Sequence, residues 1–274
     1  MKKYVISGVV AGFVLVPSVP ALAAPNDPLA ALRAQLREGR GVTVQQRTPG
    51  RDTTSLTRGG RLQFDKHGIA ASDLTAKLSF PGKDETADEF DPPKEENQAS
   101  SLDKPERTVR IGRTSYVKGG PIGAALPAGK SWYKQSPGWT SGMTAMEGDF
   151  INPAEPSTLK AMLSHSKRSG STYKGSMTVK ELLRVSAWTR ATLWWKLASG
   201  VKVNWTLTVT PAGLPRTMST RLSSPKVGLG PVTMETTYSG WGAKVSIKAP
   251  PASETTTELD SDKALLRLPP APKR

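Results

Sequence analysis

The chain has 274 residues, no cysteine and a formal net charge of +15. The missing thiols exclude disulfides, thiol catalysis, thiolate metal sites and a lipid anchor on cysteine. The length suits one large β-rich domain or two small ones. The basic balance favours anionic lipid headgroups and anionic wall polymers over nucleic acid.

Lys2 and Lys3, the apolar run Val5 to Val16, and Ala21-Leu22-Ala23 have the layout of an export signal. The run is too short to cross a bilayer, so residues 1–23 are expected to be cleaved near Ala23, giving a secreted or extracytoplasmic protein without a lipid anchor. Asp27-Pro28 then predicts a helix, with Asp27 as N-cap, an apolar stripe at Leu29, Leu32 and Leu36, and Gly39 as the stop. Val42 and Val44 open a first strand, Leu62 and Phe64 belong to a second, and Leu74, Ala76, Leu78 and Phe80 to a third. Asp65-Lys66-His67-Gly68 is the turn between the last two. Thr48 to Arg61 is polar and reads as part strand, part loop.

Residues 81–105 lack periodicity and are rich in Asp, Glu and Pro, the composition of a long solvated loop. Asp84, Asp88 and Asp91 lack the alternating spacing and central Gly of a Ca²⁺ loop. Arg107 to Ile111 and Thr114 to Lys118 form a strand pair turned at Gly112-Arg113, and Lys130 to Lys134 is a further strand. Helices follow. One starts between Asn152 and Pro156 with Leu159, Met162 and Leu163 on its apolar face. After extended Ser171 to Met177, Thr178-Val179-Lys180-Glu181 is a capping box for a second. Ser186 caps a third segment carrying Trp188, Ala191 and Trp195. From Gly200 to Pro251 the alternation of Val203, Trp205, Leu207 and Val209, then 214–222, then Val232, Met234 and Tyr238, predicts an antiparallel meander with one wet face. Residues 24–251 are thus read as a single domain, and 252–274 as a flexible tail.

No stretch carries a catalytic signature. Gly123 to Ser131 imitates a phosphate loop but has Ala124 where the first Gly is needed, and Trp132-Tyr133 continues as strand instead of helix. Ser-x-x-Lys recurs at Ser131, Ser164 and Ser223 without companion motifs, and His67 and His165 have no zinc or hydrolase pattern beside them. The reading is therefore not an enzyme, with no catalytic residue, no metal ligand and no cofactor. The tryptophans say more. Trp132, Trp188, Trp194, Trp195, Trp205 and Trp241 fall in ordered segments, and they serve either core packing or an apolar cavity between sheet and helices.

Several stretches, in their order, resemble a group of secreted proteins and lipoproteins of actinobacteria with the LolA/LppX-like fold. They are Asp27-Pro28-Leu29 after the export signal, Tyr116-Val117 with Leu126-Pro127-Ala128-Gly129-Lys130-Ser131-Trp132, and Ile151-Asn152 to Glu155-Pro156-Ser157-Thr158-Leu159. Tyr173-Lys174-Gly175, Trp205-Thr206-Leu207 with Gly213-Leu214-Pro215-Arg216, and Tyr238 to Trp241-Gly242 complete the set. The resemblance implies an α+β fold: a strongly curved antiparallel sheet, or half-barrel, with helices packed on its concave face and an apolar cavity between. Members of that fold carry or sense lipids or lipoproteins. One departure is the absence of a cysteine for an anchor. The expected function is an exported carrier or binder of a lipid or other amphiphile. Leu159, Met162, Leu163, Leu183, Trp188, Trp195 and Trp205 are the expected cavity wall, with Trp132 a candidate for its mouth. The alternative is a cell-surface interaction or sensor protein with a filled core, contacting anionic envelope polymers or a partner protein.

Overall fold

An alternating strand leaves one face in need of cover, and an amphipathic helix leaves one stripe. Among the described residues a single wide sheet and five short helices cover each other. The structure, a computed structural model, describes residues 27–49, 55–79, 101, 104–145, 148–193, 200–224 and 229–260.

Helix α1 (Pro28–Gln35) starts as its sequence dictates. Asp27 Oδ1 accepts the Leu29 N–H at 3.0 Å, Pro28 occupies the first turn, and Leu32 is fully buried. The helix ends one turn before Gly39, which at φ +69° swings the chain into β1 (Arg40–Pro49). Strands β2 (Ser55–Phe64), β3 (Ile69–Ser79), β4 (Glu106–Ile111) and β5 (Thr114–Gly119) follow. Then come the short helix α2 (Gly120–Ala124), β6 (Trp132–Gln135) and a 3₁₀ turn at Met143–Ala145. Helix α3 (Pro156–Ser164) leads into the hairpin β7 (Ser166–Ser169) and β8 (Thr172–Thr178). Helices α4 (Val179–Val185) and α5 (Ala187–Thr192) precede β9 (Lys202–Val209), β10 (Pro215–Ser224) and β11 (Leu229–Lys244), and β12 (Thr255–Thr256) comes last. The capping box is present as spelled. Thr178 Oγ1 accepts the Glu181 N–H, and Glu181 Oε2 accepts the Thr178 N–H.

The strands form one curved sheet in the order β12-β6-β5-β4-β3-β2-β1-β11-β10-β9-β8-β7. Pairings are antiparallel throughout, except for β12, which runs parallel to β6. Among the described residues the outermost strands, β7 and β12, do not pair with each other, so the sheet is an open half-barrel. Inward residues of β1–β3 and β8–β11 join residues of α1, α3, α4 and α5 in one apolar cluster. A smaller cluster of Val117, Ile122 and Met143 seats α2 near β5.

Three segments differ from the sequence reading or refine it. The polar stretch Thr48 to Arg61 is mostly strand, because Thr48, Leu56 and Arg58 face inward in register with neighbours that can bury or bond them. Strand β7, Ser-Lys-Arg-Ser, has no apolar period; it pairs because Gly170 at φ +58° turns the chain onto β8. Residues 252–260, assigned to a tail, make a 3₁₀ turn and β12, and the Asp260 N–H reaches the carbonyl of Ala125. The acidic stretch 81–100 and the pair Trp194-Trp195 lie outside the described residues.

Gly175 shows how the register is held. It sits opposite Trp205, and a Cβ there would meet the His165 carbonyl and come within 2.5 Å of the Trp205 ring. The ring therefore lies flat over a backbone that only glycine leaves open. Replacing Gly175 with Val should destabilise the fold by about 2–3 kcal/mol, the usual cost of overpacking a core, read from the urea midpoint.

Candidate functional site

The residues expected to wall a cavity come together, as packed core. Leu159 and Met162 on α3 have no exposed surface, Trp188 on α5 and Trp205 on β9 are 6% and 3% exposed, and half-buried Leu163 and Leu183 pack on the same cluster. Trp195 lies outside the described residues. Trp132 stands apart. Its neighbour Tyr133 pairs with inward Val117, so Trp132 projects from the opposite, outer face, and the Arg107 guanidinium and Lys118 ammonium lie 5.6 and 5.7 Å from its ring.

Under the helices lies a polar knot that the periodicity did not foretell. Asp149 is buried on the segment before α3, and its carboxylate accepts the Ile151 N–H at 3.0 Å and the hydroxyls of Thr236 at 3.0 Å and Thr220 at 3.3 Å. Its backbone carbonyl accepts Arg58 Nη2 at 3.0 Å and the Trp188 indole N–H at 3.3 Å. The Tyr238 hydroxyl meets Asn152 Oδ1 at 3.3 Å. One segment is thereby tied to β2, β10, β11 and α5. A cavity of about 20 Å³ beside Gln46, Arg58 and Trp188 is large enough for a single water. Burial pushes the Asp149 carboxyl up to about 6, against the Ile151 amide, the threonine hydroxyls and Arg58, and it pulls Arg58 down to about 10. A second buried acid, Glu106, is 1% exposed and pushed up to about 8 by burial. The amides of Thr144 and Met143 pull the other way.

The larger opening lies at the rim, where the β2–β3 turn, β4, α1, and the starts of α3 and α5 converge. This cleft of about 530 Å³ is lined by Arg33, His67, Arg110 and Lys160, by Asp65 and Glu155, and by apolar Ile69, Pro156 and Trp188. Its carboxylates are committed within the chain. Asp65 Oδ1 accepts the N–H groups of His67 at 2.7 Å and Gly68 at 2.9 Å, which builds the turn. Glu155 accepts the hydroxyls of Thr158 and Ser186, both at 2.5 Å, and the N–H groups of Ala187 and Trp188, so it anchors α3 to the start of α5. The cations are less engaged. Arg110 Nε reaches only the Gly138 carbonyl at 3.4 Å, and Arg33 and Lys160 have neither hydrogen bond nor ion pair from their side chains among the described residues. Burial and neighbouring Arg113 lower the Arg110 pKa, while Glu155 opposes them. The turn and the helix start that frame this cleft are legible in the sequence, but the convergence is not, since Arg33, Arg110 and Lys160 come from three distant segments.

No family model matches the chain, and no curated protein matches it. Solved structures similar over most of it include two of different description. The LolA superfamily protein NE2245 from Nitrosomonas europaea is 9% identical with a TM-score of 0.28, covering 84% of this chain and 96% of that one. A porin-like protein from Bacteroides uniformis is 8% identical with a TM-score of 0.27, covering 75% and 98%.

Both buried acids hold their protons more tightly in the folded state than in the unfolded one. Their protonated forms therefore contribute stability at acid pH that is lost as pH rises through the folded values, about 6 for Asp149 and about 8 for Glu106. The difference in stability between wild type and Asp149→Asn should shift in favour of the variant between pH 4 and 7, by on the order of 3 kcal/mol. Urea titrations across that range read it directly.

Proposed function

We propose that this protein is a non-enzymatic binder of an amphiphile with an anionic headgroup, held in the rim cleft. The observation that carries the reading is the charge balance inside that cleft. Glu155 spends both oxygens on the chain's own donors and Asp65 spends Oδ1 on its own turn, while Arg33, Lys160 and Arg110 keep donors for a ligand. The cleft volume of about 530 Å³ lies within the ordinary range for small-molecule sites, and Ile69, Pro156 and Trp188 supply an apolar wall beside the cations. The same geometry supports a reading of binding over reaction. Both Glu155 oxygens already accept amide and hydroxyl protons, which leaves that carboxylate little capacity to act as nucleophile or base. The export signal and the resemblance read from the sequence support an extracytoplasmic carrier, and the site proposed here lies at the sheet rim, outside the expected apolar wall.

The test uses the full chain and lyso-phosphatidylglycerol as probe, followed by tryptophan fluorescence. Arg33→Gln with Lys160→Gln, both exposed positions, should weaken binding at least tenfold with the fold intact by circular dichroism. Zwitterionic lyso-phosphatidylcholine should bind the wild type several-fold more weakly. Equal affinity for the two lipids, or an unaffected double variant, would remove the anionic headgroup from the reading.

A further inference from the structure

The meander reads as having one wet face, but its charge becomes visible only when strand registers are laid side by side. The side of the sheet away from the helices carries the residues that alternate with the core. Among the described residues, Arg47, Arg61, Lys77, Lys174, Lys202 and Arg221 all project from it and are exposed. Toward the other end Arg107, Lys118 and Lys134 project from the same face. Against these nine cations stand two acids among the described residues. Asp73 is held by Arg107 in a two-pronged pair at 2.7 and 2.8 Å, and Glu235 lies opposite Arg47. Arg107 and Lys118 are direct cross-strand partners, a like-charge arrangement that is unfavourable alone and is relieved here by the shared Trp132 ring and by Asp73.

We infer that this outer face docks a polyanionic polymer with phosphodiester repeats laid across the strands, independently of whatever the rim cleft binds. Charge complementarity is the first argument. A face with this excess of exposed cations attracts polyanions and releases their counterions. Spacing is the second. Arg47 and Lys77 align through Thr57, two strand separations or roughly 10 Å apart, and the same line runs on through Glu235, Ser219 and Thr206 to Lys174. A flexible chain can follow that line. Shape and composition argue against a bilayer as the partner. The face lies on the outside of a curved sheet, so a flat membrane would touch only part of it. From β8 through β10 the residues between its cations are Thr, Ser and Asn, with no apolar group to insert. Threonine hydroxyls instead provide short donors beside the cations, as in the aligned row Thr172, Thr208, Thr217 and Thr237.

The probe is poly(glycerol phosphate) added to the full chain, with phosphatidylglycerol vesicles and neutral dextran alongside. The polymer should bind with an affinity that falls steeply with salt, and dextran should not bind. Lys77→Ser with Arg221→Ser should weaken polymer binding tenfold or more at about 0.1 M salt and lower the slope of log Kd against log salt by about two. Lys180→Ser with Arg184→Ser removes equal charge from exposed positions of α4 and should change affinity less than threefold. Equal losses in the two pairs would reduce the effect to net charge and overturn the proposal. Vesicles bound more tightly than polymer, with the same dependence on Lys77 and Arg221, would overturn it in favour of a membrane. Lyso-phosphatidylglycerol binding should be unchanged by Lys77→Ser with Arg221→Ser, so failure of this inference and failure of the cleft reading are separable.

Discussion

The pairing of β1 with β11 makes one protein out of two meanders. Arg40 to Arg47 align antiparallel with Lys244 to Glu235, nearly two hundred residues away in sequence, across a bulge between Gly41 and Thr43. Without that seam β2–β6 and β8–β10 would each be a ribbon with an apolar face and no shared interior. With it, Val42 and Val44 from one end of the chain and Met234 and Tyr238 from the other face the same helices, and Phe64, Tyr238 and Trp241 stack over the join.

The seam also accounts for the buried polar knot. A wide sheet whose strands come from both ends of the chain must be bridged by the segment between them. Residues 148–155 do this by reaching down to the sheet with Asp149 and Asn152 and across to α5 with Glu155. Burying a carboxylate is costly, and the number of donors around Asp149 offsets part of that cost. What remains appears as its raised pKa. The result is a positioned rim: α3 and α5 start beside the β2–β3 turn because Asp149 and Glu155 hold the chain around them. The cleft inherits its geometry from the knot and its charge from residues the knot does not use.

The two faces of the sheet divide the proposed labour. The inner face, with its rim, is closed by helices and offers one cationic cleft at its edge. The outer face is cationic, and from β8 through β10 it is polar between its cations. The net charge of +15 therefore has two distinct destinations, a few donors gathered in a cleft and many spread over a surface. The first suits a discrete headgroup and the second suits a polymer.

Much of the architecture was legible in the sequence. Period-two alternation gave β9 to β11, Asp27-Pro28 and Thr178 to Glu181 gave two helix starts, and Gly112 gave a hairpin, since caps, turns and pleats are local physics. The gathering of Leu159, Met162, Trp188 and Trp205 followed from their apolar faces. What only the tertiary structure decided has a common cause. Arg58 looks like a surface residue of a polar strand until Asp149 and Trp188 are seen above it. Arg33, Arg110 and Lys160 look like ordinary solvated charges until three segments converge, and the outer cations look scattered until strand registers align them. Periodicity tells which side of its own element a residue takes. It carries no information about which distant element arrives to meet that side, because that depends on how a chain of this length closes its sheet.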